Sequence, residues 1–431
     1  MRKILKNICI FFILFALCIS AFACNKSDPV YEQVDRSGNF DLLKNTIDFI
    51  NKTYYKDIDY DEADIYAAYG VMSSLGNYNY IYPESYLYES SDSDGSGFGL
   101  IVKFNMYNEV YIDLILDRSP FWATYNGFTP MRGDEIYSIA GYRVSGAGSS
   151  YFSQVVASTT TEADTTFVLR RDGVFYEVKY RKIIYDFPQC IYINDLNGVD
   201  PDIGYIHLRS FSNYPNNIPA EFAKAVREFK ADNNKALILD LRGNGGGSTT
   251  VLDSIASYFI GAPSGKVDLY EVENVKGNKS SVHAIKGNDN YIDVPIYVLC
   301  DGGTASASEA LIGIMKANGT LTSLIGKKTV GKGVAQNGFT MYDGTENGTI
   351  VDYVTDENGN VVEDETYYLQ VIIGQYYIFD ASAEGGKYCM NGIPFVPEHT
   401  VSGENPVTSN YYDDLYIKIA ADLYEETNQR A

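Results

Sequence analysis

The sequence predicts an α/β protein that carries a separate β-rich module ahead of its main body, and three observations lead there. From about Tyr185 onward strand-like and helix-like stretches alternate, as in βαβ layering. Residues 98 to 183 instead hold short alternating runs broken by Gly, Pro and Asp. Between Asn39 and Met72 apolar residues recur at helical spacing. The 431 residues, 45% hydrophobic and 21% charged, have a globular composition with room for several domains of about 100 to 200 residues each. With 56 acidic against 34 basic residues the formal charge is −22, which excludes nucleic acid as a partner. The 38 tyrosines suit either a wet, hydroxyl-bearing binding surface or ordinary aromatic strands.

At the N-terminus Arg2, Lys3 and Lys6 precede an apolar stretch from Ile8 to Ile19 and then Ala21-Phe22-Ala23-Cys24. That is the three-part layout of an export signal, expected to occupy residues 1–23, and the apolar run is short of the roughly 20 residues a membrane span needs. The cysteine after the cut resembles the lipobox of bacterial lipoproteins, with Ala21 where that box favours leucine. It implies lipidation at Cys24 and a protein held at the cell envelope by a membrane anchor; ordinary signal cleavage and free secretion is the alternative. Cys190, Cys300 and Cys389 are widely spaced, so neither a disulfide framework nor a metal site is indicated, and all three are expected in the core.

In order, residues 24–92 are read as the attachment site, a linker and a small helical cap containing Leu42, Ile47, Ile65 and Met72. The Ser/Asp/Gly run from Ser90 to Gly97 marks a boundary, and the β-rich module is placed at 93–183, with Val110 to Ile115 and Thr166 to Leu169 as strands. The main body, 184–431, is expected to have strands at Ile203–Leu208 and Ala236–Leu241 around a helix from Ile218 to Lys230, then a strand at Val294–Cys300 and a helix ending near Ala317.

Three segments of this body could carry chemistry. Leu241-Arg242-Gly243-Asn244-Gly245-Gly246-Gly247 follows a buried strand and offers backbone N–H groups with few side chains, suited to an oxyanion; read alone it is also an ordinary glycine turn. It lacks both nucleotide-loop spacings, so no nucleotide cofactor is expected, nor any other. Asp301-Gly302-Gly303-Thr304-Ala305-Ser306-Ala307-Ser308-Glu309 puts Ser306 at a helix N-terminus, where the dipole and free N–H groups favour a nucleophile. Ser306-x-x-Glu309 equally fits a capping box, in which the hydroxyl only satisfies the helix. His207, His283 and His399 lie in a strand, a loop and a terminal turn with no motif around them, whereas Lys332, between Gly331 and Gly333, could act as a base if burial lowered its pKa.

Asp240 to Gly247, Thr304 to Glu309 and Gly331 to Gln336, in this order, resemble the C-terminal processing (tail-specific) peptidases, which read D-L-R-x-N-x-G-G, T-A-S-A-S-E and G-K-G-x-x-Q. The late segment Asn391-Gly392-Ile393-Pro394-Phe395-Val396-Pro397 fits as well. In the module, Gly97-Phe98-Gly99-Leu100 and Arg132-Gly133-Asp134-Glu135-Ile136 resemble a PDZ domain, which takes up peptide C-termini by strand addition; an ordinary β-sandwich stays open. The resemblance implies a crotonase/ClpP-like peptidase core and a serine–lysine dyad acting on protein or peptide substrates. Ser306 would be nucleophile, Lys332 general base and Gln336 the residue orienting it, with Ser308 in support and the N–H groups of Gly246 and Ala307 as oxyanion hole. Gly245 and Val330 depart from the family's frequent proline and phenylalanine. An inactive peptide-binding scaffold and a crotonase-like acyl-thioester enzyme are the competing readings.

Overall fold

The computed structural model describes residues 41–53, 60–83, 96–184, 187–213, 216–261, 265–274, 279–341, 345–346, 349–350, 354–355, 361–362 and 367–430. The export signal, Cys24 and most of the Ser90–Gly97 linker lie outside them. The chain divides into two compact units, residues 1–89 with 336–373, and residues 90–335 with 374–431.

In the smaller unit, helices α1 (Asp41–Thr53) and α2 (Tyr60–Ser74) precede strand β1 (Tyr80–Pro83), which pairs antiparallel with Tyr367–Gln370. Met72, Ile81 and Tyr367 are buried together there, so the expected helical cap is joined by a segment from much later in the chain.

The larger unit opens with the module. Strands β2 (Leu100–Phe104), β3 (Val110–Ile115), β4 (Glu135–Ile139), β5 (Asp164–Arg171) and β6 (Val174–Arg181) form an antiparallel sheet in that order, with helix α3 (Ser149–Ala157) between β4 and β5 in sequence. Alternation buries one side of each strand: Val110, Ile112, Ile136, Phe167, Leu169 and Val178 pack around Phe121, with Phe98 edge-on to Phe167 at 4.8 Å. Ser96–Gly97 pairs with Ile183–Ile184, which ties the two ends of the module together. Among the described strands β2 lies at the edge of this sheet.

The main body is an α/β sandwich. Its six-stranded sheet has the order β7 (Cys190–Ile193), β8 (Ile203–Leu208), β9 (Ala236–Asp240), β12 (Ile296–Cys300), β13 (Ser323–Gly326) and β16 (His399–Thr400), with every pair parallel except β7–β8. β9 and β12 are buried at every position because helices cover both faces. Leu237, Leu239, Ile296 and Val298 point to one side, against α4 (Ile218–Ala231), α5 (Thr249–Ala256) and α6 (Ala307–Ala317). Ile238, Tyr297, Leu299 and Ile325 point to the other, against α7 (Leu415–Arg430). A hairpin of β10 (Lys266–Asn274) and β11 (Lys279–Lys286) adds to the second half of β15 (Tyr367–Phe379), while β14 (Val334–Met341) follows the lysine segment.

His283 therefore lies in strand β11, not in a loop. Its ring stacks on Tyr270 at 4.4 Å and its Nδ1 lies 2.8 Å from Asp253 on α5. Cys190 and Cys300 are buried and Cys389 is half-buried. Among the described residues no helix is long and apolar enough to cross a membrane, and no group of His, Cys, Asp and Glu could hold a metal ion.

Candidate active site

Parallel pairing of β9 with β12 places their C-terminal ends side by side, since Asp240 stands opposite Leu299. The loops after both strands emerge at the same sheet edge, where α/β proteins build their sites. Hydrogen bonds stitch the two loops together: Thr304 Oγ1 donates to the Leu241 carbonyl at 2.9 Å, the Ala305 amide to the Asn244 carbonyl at 3.0 Å, and the Ser308 hydroxyl to that same carbonyl at 3.0 Å. Gly243 N–H donates back to Asp301 Oδ1 at 2.9 Å.

At the junction sits Ser306, 8% exposed, with φ +57° and ψ −119°. An N-cap residue normally takes extended φ/ψ, so this serine is held in a conformation that costs on the order of 1 to 3 kcal/mol. Gly246, at φ +97°, approaches it closely; a Cβ there would lie 2.8 Å from the Ser306 Cβ, the Ala305 oxygen and the Ala307 nitrogen. Only glycine fits. The Ala307 amide opens α6, beyond the reach of the helix's own acceptors. Against expectation, the Gly246 N–H is donated to Asn244 Oδ1 at 2.9 Å. The cause is local: an asparagine side chain turns onto the amide two residues ahead, and Asn244 is itself fixed by donating Nδ2 to the Leu208 carbonyl at 2.9 Å.

Glu309 carries the next link. Its carboxylate, 1% exposed, accepts four donors. Oε1 takes the Thr329 hydroxyl and the Gly331 amide, the latter at 2.6 Å. Oε2 takes the Ser306 amide at 3.0 Å and the Lys332 amide at 2.8 Å. One oxygen thus holds the backbones of the expected nucleophile and the expected base. The capping-box spacing is present, but its glutamate spans the site as well as closing a helix end.

Lys332 is half-buried, and desolvation pulls its pKa below the ordinary lysine value, with the Glu309 charge opposing in part. The segment carrying it is braced by the late Asn391–Pro397 stretch: Gly392 N–H donates to the Gly331 carbonyl at 2.9 Å, and Phe395 N–H to Thr329 Oγ1 at 2.8 Å. Gly333 lies so close to this stretch that a Cβ would fall 2.2 Å from the Asn391 nitrogen. Gln336 belongs to the smaller unit, where its side-chain amide donates to the Tyr78 carbonyl. No histidine is hydrogen-bonded to Ser306 among the described residues. His207 is half-buried on β8, and desolvation lowers its pKa despite the Asp240 charge nearby.

Behind the glycine loop lies a buried ion cluster that local sequence patterns do not disclose. Arg242 binds Asp240 at 2.6 Å and Asp414 at 3.0 Å, and its guanidinium stacks on Tyr416 at 4.6 Å. Lys103 of β2 reaches Asp113 at 3.0 Å and Asp414 at 3.6 Å, and Arg132 reaches Asp113 at 3.0 Å. Burial raises the pKa of each of these aspartates, but Arg242 for Asp240 and Asp414, and Lys103 with Arg132 for Asp113, outweigh it and hold all three below the usual range. The cluster joins the module, the glycine loop and α7.

Residues 202–366 match the model of a family described as Peptidase family S41. The carboxy-terminal processing protease CtpB of Bacillus subtilis (strain 168) is 25% identical over 323 residues, 74% of this chain and 64% of that protein. A carboxyl-terminal-processing protease of Picosynechococcus sp. is 30% identical over 301 residues, 66% of each chain. The chain thus spans a little under two thirds of the length of these curated relatives. Among solved structures, a putative S41 protease from Bacteroides fragilis aligns with a TM-score of 0.47 at 16% identity, over 80% of this chain and 90% of that one.

Proposed function

The chain belongs to peptidase family S41, the C-terminal processing peptidases, and on that premise we propose that it is a serine endopeptidase working through a Ser306–Lys332 dyad. The observation that supports this most is the shared Glu309 oxygen, which keeps the amides of both residues on one acceptor. Neutral Lys332 takes the proton from Ser306 Oγ as that oxygen attacks the scissile carbonyl. The oxyanion is stabilised by the Ala307 N–H and by the Gly246 N–H once substrate draws the latter from Asn244 Oδ1. Protonated Lys332 then delivers its proton to the leaving amine, and a water, deprotonated by the same lysine, hydrolyses the acyl-enzyme. The role of orienting the lysine is given to Gln336 from the family resemblance alone, and Ser308 steadies the glycine loop through the Asn244 carbonyl.

The module at 93–183 is proposed to act as a PDZ-like domain that receives apolar chain ends along the outer edge of β2, which pairs only with β3 among the described strands. Export with lipidation at Cys24 is proposed from the N-terminal pattern alone. A direct test incubates the protein, lacking residues 1–23, with an intrinsically disordered protein alongside a Ser306→Ala control. Fragments should appear only with intact Ser306; binding without fragments would identify an inactive scaffold instead.

A further inference from the structure

A cleft of about 550 Å³ opens in the larger unit, away from the Ser306 loops, between β3 and the Pro130–Arg132 turn of the module on one side and β7 with α4 on the other. Strand β7 is the outer strand of the main sheet and pairs only with β8 among the described strands. Its register settles which backbone groups face the cleft. The Arg209 amide donates to the Gln189 carbonyl at 2.8 Å, which turns that carbonyl toward β8 and sets the alternation of the residues after it. Ile191 and Ile193 therefore bond to β8, while Cys190 and Tyr192 turn their N–H and C=O groups outward. The Cys190 amide behaves accordingly and donates outward to Glu221 of α4 at 2.9 Å; Gln189, just before the strand, departs from the ladder and gives its amide to the same carboxylate at 2.7 Å. Glu221 thus caps one end of the edge and leaves the Cys190 carbonyl and both Tyr192 groups facing the cleft.

Around this edge the lining is apolar and its rim is acidic. Trp122 and Met131 stand 60% and 39% exposed there. Five carboxylates and two cations line the cleft. Arg132 is spent on Asp113 at 3.0 Å and Lys224 on Glu228 at 3.5 Å, which leaves Asp117, Asp195 and Glu221 without a paired cation among the described residues.

The geometry points to a second polypeptide-binding site: an extended segment of about four residues, apolar with basic side chains, adds to the outer edge of β7 and buries its apolar groups against Trp122 and Met131. An unpaired strand edge matches another extended backbone, and the acidic rim selects the charge. This occupant is distinct from a chain end received on β2, since the cleft lines β3 and β7 and needs no terminal carboxylate.

The test uses the protein carrying Ser306→Ala, so that binding is read without turnover and independently of whether the intact protein cleaves anything. An end-blocked, fluorescein-labelled hexapeptide alternating leucine and lysine is titrated and followed by anisotropy. Two further versions carry N-methyl groups on the odd or on the even residues. One methylated series should bind at least about 10-fold more weakly while the other binds like the parent, because only one set of amides faces the strand. Trp122→Ala and Asp195→Lys should each weaken the parent peptide about 5-fold or more, and glutamate in place of lysine should abolish binding. Absence of parent binding, equal binding of both methylated series, or indifference to both substitutions would overturn the proposal.

Discussion

Glu309→Gln is the substitution whose consequences can be worked most fully. The side chain keeps its shape and loses its charge, and four donors must then be shared by one oxygen and one NH₂ group. If the NH₂ faces Thr329, the hydroxyl can turn to accept from it, but the Gly331 amide is orphaned. If it faces the other way, the amides of both Ser306 and Lys332 are orphaned. The first arrangement is the cheaper one, at about 1 to 3 kcal/mol for one buried donor, and weakening the remaining bonds from charge-assisted to neutral costs about 1 kcal/mol more for each. The loss should reach about 3 to 5 kcal/mol, read as a lower urea midpoint at unchanged slope. A second consequence has a definite sign. Glu309 raises the Lys332 pKa against burial, so its removal should lower that pKa further and move the acid limb of the kcat/KM profile to lower pH in whatever activity remains. A variant destabilised by less than about 1 kcal/mol with an unmoved profile would refute the bridging role given to this carboxylate.

Gly246→Ala should reduce kcat by at least about 100-fold with the circular dichroism spectrum preserved, because the added methyl falls 2.8 Å from the Ser306 Cβ at the proposed oxyanion donor. Asp414→Asn strips Arg242 and Lys103 of a buried counter-charge and should cost about 3 to 5 kcal/mol in denaturant titrations at pH 7. Since the folded-state pKa of Asp414 lies below its unfolded value, the stability it supplies is present above about pH 4 and is lost as the pH falls through the folded value. The variant's acid unfolding should accordingly be less steep, as followed by tyrosine fluorescence. Lys332→Arg should be inactive in a peptide-cleavage assay across the accessible pH range, because guanidinium does not deprotonate there.

The layering was legible because the strands that build it are continuous apolar runs: Ala236–Asp240 and Ile296–Cys300 are buried on both faces and read as such. Ile218–Ala231 was equally readable, with Asn217 capping its start through the Ala220 amide at 3.2 Å. What stayed hidden depends on partners far along the chain. Glu309 sits three residues from Ser306, and that spacing suggested only a cap; its other role needs Thr329, Gly331 and Lys332, about 20 residues on. Arg242 meets Asp414 across 172 residues, with no pattern to announce it. The β10–β11 hairpin was missed because its strands are rich in Lys, Glu and Ser, and its stacked Tyr270–His283 pair appears only once they are in register. The Asn244 side chain could have been foreseen from turn chemistry, yet whether it would reach Gly246 rests on its anchor at Leu208.

The central claim, a serine made nucleophilic by a neutral lysine, is tested most directly by the rate at which a fluorophosphonate labels Ser306 as a function of pH, followed by intact mass and peptide mapping. Labelling should fall on Ser306 alone, accelerate with a single ionisation below the ordinary lysine value of 10.5, and be lost in Lys332→Ala. Labelling that persists in Lys332→Ala, or that follows an ionisation near 6.5, would contradict it.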